Sequence, residues 1–167
     1  GEGAWRIGGV SFKVHASCRH THSAVDAALA LRARHSLASA AIERVDVRIY
    51  EQALGLLEGM EPTTPYAAKF SLPFCVAAAI EHGDLAPERF TEASIREPEV
   101  LALAGRVRFT TDPELDRLYP AAWPSVVSVT MRDGARWEER IDHPAGDPES
   151  GVSDAQLIGK FVALTSP

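Results

Sequence analysis

The feature that most restricts the fold of this chain is the Asp133-Gly134 pair near its end. It separates two runs in which apolar and polar residues alternate, Ser125 to Met131 and Ala135 to Ile141. Such alternation has the period of a β-strand, and Asp-Gly is favoured in tight turns that require a positive φ. The pattern therefore predicts an antiparallel hairpin, and any fold of this chain must accommodate one.

Three other stretches have strand character. Ile42 to Tyr50 alternates cleanly, with its apolar residues on one face. Val107 and Phe109 indicate a brief strand. Near the start, Gly8-Gly9 interrupts the loosely alternating stretch Trp5 to Lys13 and predicts a turn between two short strands.

Four segments are predicted to be helical. Ser23 to His35 is rich in helix formers, with Asp26 expected in its first turn and basic residues at its end, the charge order that the helix dipole favours. Tyr66 to His82 is apolar and is closed by Gly83, and Pro73 is expected to kink or break it. The others are a short helix around Glu97 to Ala104 and a last helix capped by Ser153, whose apolar face comprises Leu157, Ile158, Phe161, Val162 and Leu164.

These elements predict an α+β fold, in which helices pack on one face of a mostly antiparallel sheet. No repeat or change of composition divides the chain, so residues 1–167 are expected to form a single domain with a substantial core. The first residues include neither an initiator Met nor a signal peptide, and we expect the chain to be part of a longer protein.

Composition limits the cellular location of the chain and the kinds of partner it can bind. Two cysteines, Cys18 and Cys75, are too few for a disulfide scaffold and favour the cytoplasm. The longest apolar run, Phe70 to Ile80, contains a proline and is too short to span a membrane. A net charge of −6 argues against nucleic acid, yet residues 1–35 carry five Lys or Arg against two Asp or Glu, which suits a small anion.

The segment Phe12 to His22 concentrates polar chemistry. It holds a lysine, an arginine, a cysteine and three histidines, and it ends where the first helix is predicted to begin. The first turn of a helix has unpaired backbone N–H groups and partial positive charge, which favour anions. The segment is therefore predicted to bind a carboxylate or phosphate, through candidates Lys13, Cys18, Arg19, His20 and His22.

Several of these side chains have structural alternatives. Cys18 is either a stabilised thiolate or a small buried residue, and His22 is either an acid–base group or a helix-start residue packed on the sheet. Lys69 either points at the site or lies along a packed surface. The residue types of His15, Cys18, His20 and His22 also permit a zinc site. Because no second pair of ligands follows in the sequence, we expect no metal.

The chain resembles the MmgE/PrpD family in three blocks. Lys13, Cys18 and Thr21-His22, followed by an Ala/Asp-rich helix, resemble the family's K-x-x-P-x-C…T-H…D-A stretch. Ala68 to Ala77 resembles its A-K-F-S-L-x-Y-x-V-A helix. The last block resembles its terminal hairpin, Gly/Pro link and final helix, through Asp133-Gly134, Gly146-Asp147-Pro148 and Lys160-Phe161.

Two positions depart from the family pattern. Val14-His15-Ala16-Ser17 stands where the family usually has an aromatic residue and a proline, and His15 is expected to replace the aromatic in packing. Phe74 stands at a position often held by Tyr, so a phenol hydroxyl is missing there. Both departures bear on which substrate the protein accepts.

The resemblance implies that this chain is part of a larger enzyme. The family includes 2-methylcitrate dehydratase, cis-aconitate decarboxylase and iminodisuccinate epimerase, and its active site lies between a helical domain and a smaller α+β lid. The chain resembles the C-terminal lid and tail, without the N-terminal helical domain that carries most acid–base residues, and alone it is expected to be inactive. The full-length protein is expected to be a cofactor-independent lyase or isomerase of small di- or tricarboxylic acids, and a cytoplasmic homodimer.

The resemblance also implies roles for the candidate residues. Lys13 is expected to hold a substrate carboxylate and stabilise developing negative charge, and His22 to act as an acid–base group. Arg19, His20 and Cys18 are expected to contact the substrate. An alternative is a stand-alone, non-catalytic module that binds a small anionic metabolite or a partner protein.

Overall fold

A computed structural model of the chain describes residues 6–165. Its strands are β1 (Ile42–Ile49), β2 (Val107–Thr111), β3 (Ser125–Met131) and β4 (Arg136–Ile141). They form one sheet in the order β2-β1-β3-β4, in which the β1–β2 pair is parallel and the other two pairs are antiparallel. The predicted α+β class, the mostly antiparallel sheet and the terminal hairpin are confirmed.

Residue alternation decides which face of the sheet is covered. Val45 and Val47 of β1 lie opposite Val129 and Val127 of β3, and all four are buried. The residues between them on β1 are charged, half-exposed and directed to the opposite face. One face of the sheet therefore forms the core, and the other is a charged surface.

The described residues also form seven α-helices. They are α1 (His22–His35), α2 (Glu51–Leu57), α3 (Pro65–Ala68), α4 (Leu72–His82), α5 (Pro98–Ala104), α6 (Pro113–Asp116) and α7 (Asp154–Thr165). Single 3₁₀ turns lie at Arg6–Gly9, Arg19–Thr21, Ser39–Ala41, Pro87–Phe90 and Ser94–Arg96. Within residues 6–165, no helix is long and apolar enough to cross a membrane.

The packing of α1 follows from its composition. Ala24, Ala27, Ala28 and Leu31 are fully buried, and the helix contacts β3, β4 and α4. Small side chains let the helix backbone approach the sheet closely, while the leucine fills the remaining space. The start of α1, at the end of the basic loop, is thereby fixed to the core.

The apolar stretch predicted as one kinked or broken helix is broken. It forms α3 and α4, separated by Lys69–Ser71. Pro73 is the second residue of α4, where its missing N–H would have had no helical partner. Gly83 ends α4 with a φ of +80°, as predicted for a helix C-cap. The break turns the chain at Lys69.

The predicted hairpin at Gly8-Gly9 is wrong. Arg6–Gly9 forms a 3₁₀ turn, and the residues from 10 to 14 form no strand. Instead, the Phe12 N–H donates to the Gly146 carbonyl at 2.8 Å, so this segment is hydrogen-bonded to the chain after β4 and not to a neighbouring strand. Trp5, the start of the predicted stretch, lies outside the described residues.

One of two expectations about helix ends needs correction. Because α1 begins at His22, Asp26 lies beyond the first turn, and its carboxylate serves a tertiary contact instead. The Ser153 cap of α7 is confirmed, since Ser153 Oγ accepts from the Gln156 N–H at 3.2 Å. The apolar face of α7, however, is not packed: Ile158 and Phe161 are more than 60 % exposed.

Candidate anion-binding site

The basic loop before α1 is held in place by backbone hydrogen bonds to three distant segments. Besides the bond between Phe12 and Gly146, the Ala16 N–H donates to the Leu85 carbonyl at 3.2 Å. The Cys18 N–H donates to the Lys69 carbonyl at 2.8 Å. These contacts fix residues 12–18 between the link after β4 (residues 142–153), the end of α4 and the break before α4.

A cavity of about 550 Å³ opens beside this loop. Its wall is drawn from the loop, from the chain around the end of α3 and from α7. The lining residues are Lys13, His15, Ala16, Ser17, Cys18, Tyr66, Lys69, Phe70, Pro87, Lys160 and Leu164. We call it the lysine cavity, because the chain has three lysines, Lys13, Lys69 and Lys160, and all three line it.

The charge of the lysine cavity is uncompensated at its wall. Among the described residues, no Asp or Glu lines it. Within the same range, none of the ion pairs involves a lysine. Lys69 Nζ lies 5.6 Å from the centre of the Phe90 ring, and Lys160 Nζ donates to the Lys13 carbonyl. An anion entering the cavity meets ammonium groups that no carboxylate has neutralised.

His22 is fully buried at the start of α1. Its Nδ1 lies 3.2 Å from an Arg19 nitrogen, which donates to it, and its Nε2–H donates to the Ser17 carbonyl at 3.4 Å. Burial, followed by repulsion from His15 when it is protonated and from Arg19, lowers the pKa of His22 to about 2. His22 is therefore neutral, with both ring nitrogens engaged, and it does not line the lysine cavity.

Arg19 does not line the lysine cavity, and its side chain is paired within the protein. Its guanidinium pairs with the carboxylate of Asp147, which is buried and also accepts from Ser11 Oγ at 2.6 Å. The Arg19 guanidinium also lies 5.9 Å from the Trp123 ring centre. This pair ties the loop to the link after β4.

His20 packs in an aromatic cluster rather than at the cavity wall. Its Nδ1 lies 2.6 Å from Tyr50 Oη, and its ring centre lies 4.8 Å from that of Trp123. Burial and the charge of Lys13 lower the pKa of His20, which favours the neutral ring. Burial of the neighbouring Tyr50 raises the pKa of its hydroxyl.

Of the five predicted site residues, Lys13 and Cys18 line the lysine cavity, and Arg19, His20 and His22 do not. Both cysteines are free thiols; Cys75 is fully buried, which raises its pKa to about 12. The alternative zinc ligands do not converge. In the described chain, a different group has ligand atoms close enough to hold a metal ion, within 4.8 Å of one another: His143, Asp147 and Glu149. Its Asp147 is already paired with Arg19.

Sequence reasoning missed Lys160 and left Lys69 between two roles. The available signal was the scarcity of lysine: 14 of the 17 Lys and Arg residues are arginine. The three exceptions lie on a loop, a helix break and the last helix, far apart along the chain.

Comparison with known proteins identifies the family of most of the chain, from residue 15 onward. The family model of the MmgE/PrpD C-terminal domain matches residues 15–167. The chain belongs to the MmgE/PrpD family. It is similar to cis-aconitate decarboxylase of Mus musculus, with 26 % identity, and of Homo sapiens, with 27 % identity. Each match covers 94 % of this chain and 33 % of the relative, so this MmgE/PrpD domain spans about a third of the curated relatives it matches.

Proposed function

We propose that this MmgE/PrpD C-terminal domain binds the carboxylates of a small di- or tricarboxylic acid in the full-length protein, a cofactor-independent lyase or isomerase. The observation that carries the proposal is the lysine cavity, in which all three lysines of the chain meet with no carboxylate among the described lining residues. Its volume of about 550 Å³ suits a small organic acid. The similarity to cis-aconitate decarboxylase supports the same class of ligand.

In this proposal, Lys13 is the principal substrate-binding residue. Its ammonium is a compact point charge on an exposed loop whose backbone is fixed on both sides. When a proton or CO₂ leaves the carbon next to a bound carboxylate, negative charge spreads into that carboxylate. An ammonium group beside the carboxylate stabilises this charge more than it stabilises the ground state, which lowers the barrier.

Cys18 lines the same cavity and contacts the substrate in this proposal. Arg19 and His20 stabilise the loop that lines the cavity, through Asp147 and Tyr50. The acid–base role predicted for His22 stays a prediction. In this conformation the ring is buried, and both of its nitrogens are hydrogen-bonded. A homodimer remains the expected state on the family resemblance, and the cytoplasm the expected location on the cysteine count.

The test is turnover by the full-length protein. It is incubated with cis-aconitate, citrate, 2-methylcitrate and iminodisuccinate, and products are followed by NMR. Lys13→Ala is expected to lower kcat/KM for the accepted acid by about 100-fold or more, because a preorganised charge is removed from the transition state. Arg96→Ala is the matched control, since Arg96 is 65 % exposed and pairs only with a neighbouring glutamate on its own segment.

Each result has a clear meaning. Loss of turnover in Lys13→Ala but not in Arg96→Ala supports the proposal and identifies the acid. Normal turnover in Lys13→Ala contradicts the role of Lys13. If no acid is converted but one binds in a Lys13-dependent way, the stand-alone binding module becomes the better description.

A further inference from the structure

His15 forms a close pair with a carboxylate beside the lysine cavity. Its Nε2 lies 2.7 Å from Asp26 Oδ1, and the side chains are 8 % and 15 % exposed. The other oxygen, Asp26 Oδ2, accepts from the Ala145 N–H at 2.7 Å. Asp26 is thus held from the link after β4 as well as by α1, and its position relative to the imidazole is fixed.

The pair determines which nitrogen of His15 carries the proton. An ionised carboxylate only accepts hydrogen bonds, so the nitrogen facing Asp26 must donate. The neutral ring therefore carries its proton on Nε2 and a lone pair on Nδ1. Among the described residues, Nδ1 makes no hydrogen bond, whereas both nitrogens of the neighbouring His22 are engaged.

The pair is placed asymmetrically about the cavity. His15 lines the lysine cavity, on the same loop as Lys13, and Asp26 does not line it. The carboxylate therefore orients the imidazole from outside the lysine cavity. Both side chains also line a neighbouring cavity of about 320 Å³.

We propose that His15 is a catalytic base and Asp26 its positioning residue, a proposal that rests on the proposed function. The C–H bond next to a substrate carboxylate breaks, and its proton passes to Nδ1 of His15. The electron pair stays on the substrate and spreads into that carboxylate, where the lysines stabilise it. Asp26 stabilises the imidazolium that forms and holds the ring in the required tautomer.

The first measurement is the tautomer, by ¹⁵N NMR of the full-length protein labelled at histidine. His15 is expected to be protonated on Nε2. In Asp26→Asn the amide oxygen can still accept from Ala145, while its NH₂ donates to Nε2, so the proton is expected to move to Nδ1. A purely structural contact between the two side chains would not predict this exchange of tautomers.

The second measurement is turnover of the accepted acid, with its C–H exchange in D₂O. His15→Phe keeps an aromatic ring, and both it and Asp26→Asn are expected to lose about 100-fold or more in kcat with KM changed little. Glu97→Gln is the matched control: Glu97 pairs with His82 at 2.9 Å, and neither residue lines the lysine cavity.

The outcomes distinguish this proposal from the proposed function on which it rests. Turnover that survives in His15→Phe within about threefold overturns the role of His15 and leaves the proposed function standing. A wild-type His15 protonated on Nδ1 overturns it as well. If the wild-type protein converts no acid and exchanges no C–H hydrogen, the proposed function fails, and the proposed role of His15 as a base fails with it.

Discussion

Arg19 and Lys13 lie six residues apart and illustrate two uses of a positive charge. Arg19 is mostly buried, and its planar fork of donors meets Asp147, His22 and the Ala145 carbonyl together. Lys13 is exposed at the mouth of the lysine cavity with no carboxylate partner among the described residues. The arginine stabilises the loop, and the lysine remains available to a ligand.

His22 should make the domain sensitive to acid. Its pKa falls from about 6.5 in the unfolded chain to about 2 in the fold, so below pH 6.5 the unfolded chain binds the extra proton. The stability contributed by the neutral ring is present above pH 6.5 and is lost as the pH falls toward 2. We expect this residue to remove about 1.4 kcal/mol from the free energy of unfolding per pH unit below pH 6.

The measurement is denaturant unfolding of the wild type and of His22→Asn between pH 7 and pH 4. The variant is less stable at neutral pH, but its free energy of unfolding should fall less steeply with acid. His35→Asn is a control, because His35 lies at the far end of α1, stacked on Trp137. Equal slopes in wild type and His22→Asn would contradict the assignment.

At the scale of elements, the link after β4 holds the loop that carries Lys13. Gly146 has a φ of +88°, and a Cβ there would clash with the Phe12 carbonyl. Gly146→Ala is expected to cost about 1–2 kcal/mol for the backbone conformation and roughly 1–3 kcal/mol more for the clash. It should also raise KM for the accepted acid, because the loop must move.

Gly134 gives a matched control for this prediction. Its φ of +90° is almost the same, but a Cβ there meets nothing within 4 Å. Gly134→Ala should therefore show the conformational cost alone in thermal or denaturant unfolding, with KM unchanged. If the two variants are equally destabilised, the close approach of Gly146 to the loop is not what holds it.

Local pattern predicted most of these elements. The β3–β4 hairpin, β1 and α1 follow from residue period, turn chemistry and helix propensity, which act over a few neighbours. Gly8-Gly9 has the same turn chemistry as a hairpin, yet its segment pairs with Gly146, some 130 residues away. A distant partner of this kind leaves no periodic trace in the sequence.

The candidate site was predicted only in part, for a similar reason. The sequence indicated the basic loop, and Lys13 and Cys18 do line the cavity. Burial of His22 and the pairing of His15 with Asp26 depend on how α1 and the link after β4 meet. Lys160 joins the site through α7, whose place on the loop no local pattern specifies.

At the scale of the whole molecule, α7 presents an apolar surface. Ile158, Phe161, Val162 and Leu164 are each more than half exposed, while Lys160 on the same helix reaches the loop. A contiguous apolar surface of this kind binds apolar dyes and favours self-association. The 167-residue chain is therefore expected to enhance the fluorescence of such a dye.

Replacing Phe161 and Val162 together by Ser should lower that fluorescence substantially. Leu56→Ser, which removes one exposed leucine from α2, serves as the control and should change it little. Size-exclusion chromatography follows association in the same samples. Unchanged dye binding in the double variant would show that the surface of α7 is not what the dye detects.

The distribution of lysine has a practical consequence for chemical labelling. A reagent that acylates primary amines has three side-chain targets in this domain, and all of them border one cavity. Each acylation converts a cation into a neutral amide, and a bound anion would shield the amines from the reagent. The mass added to the intact domain therefore becomes a covalent footprint of occupancy, read without knowing in advance which acid is bound.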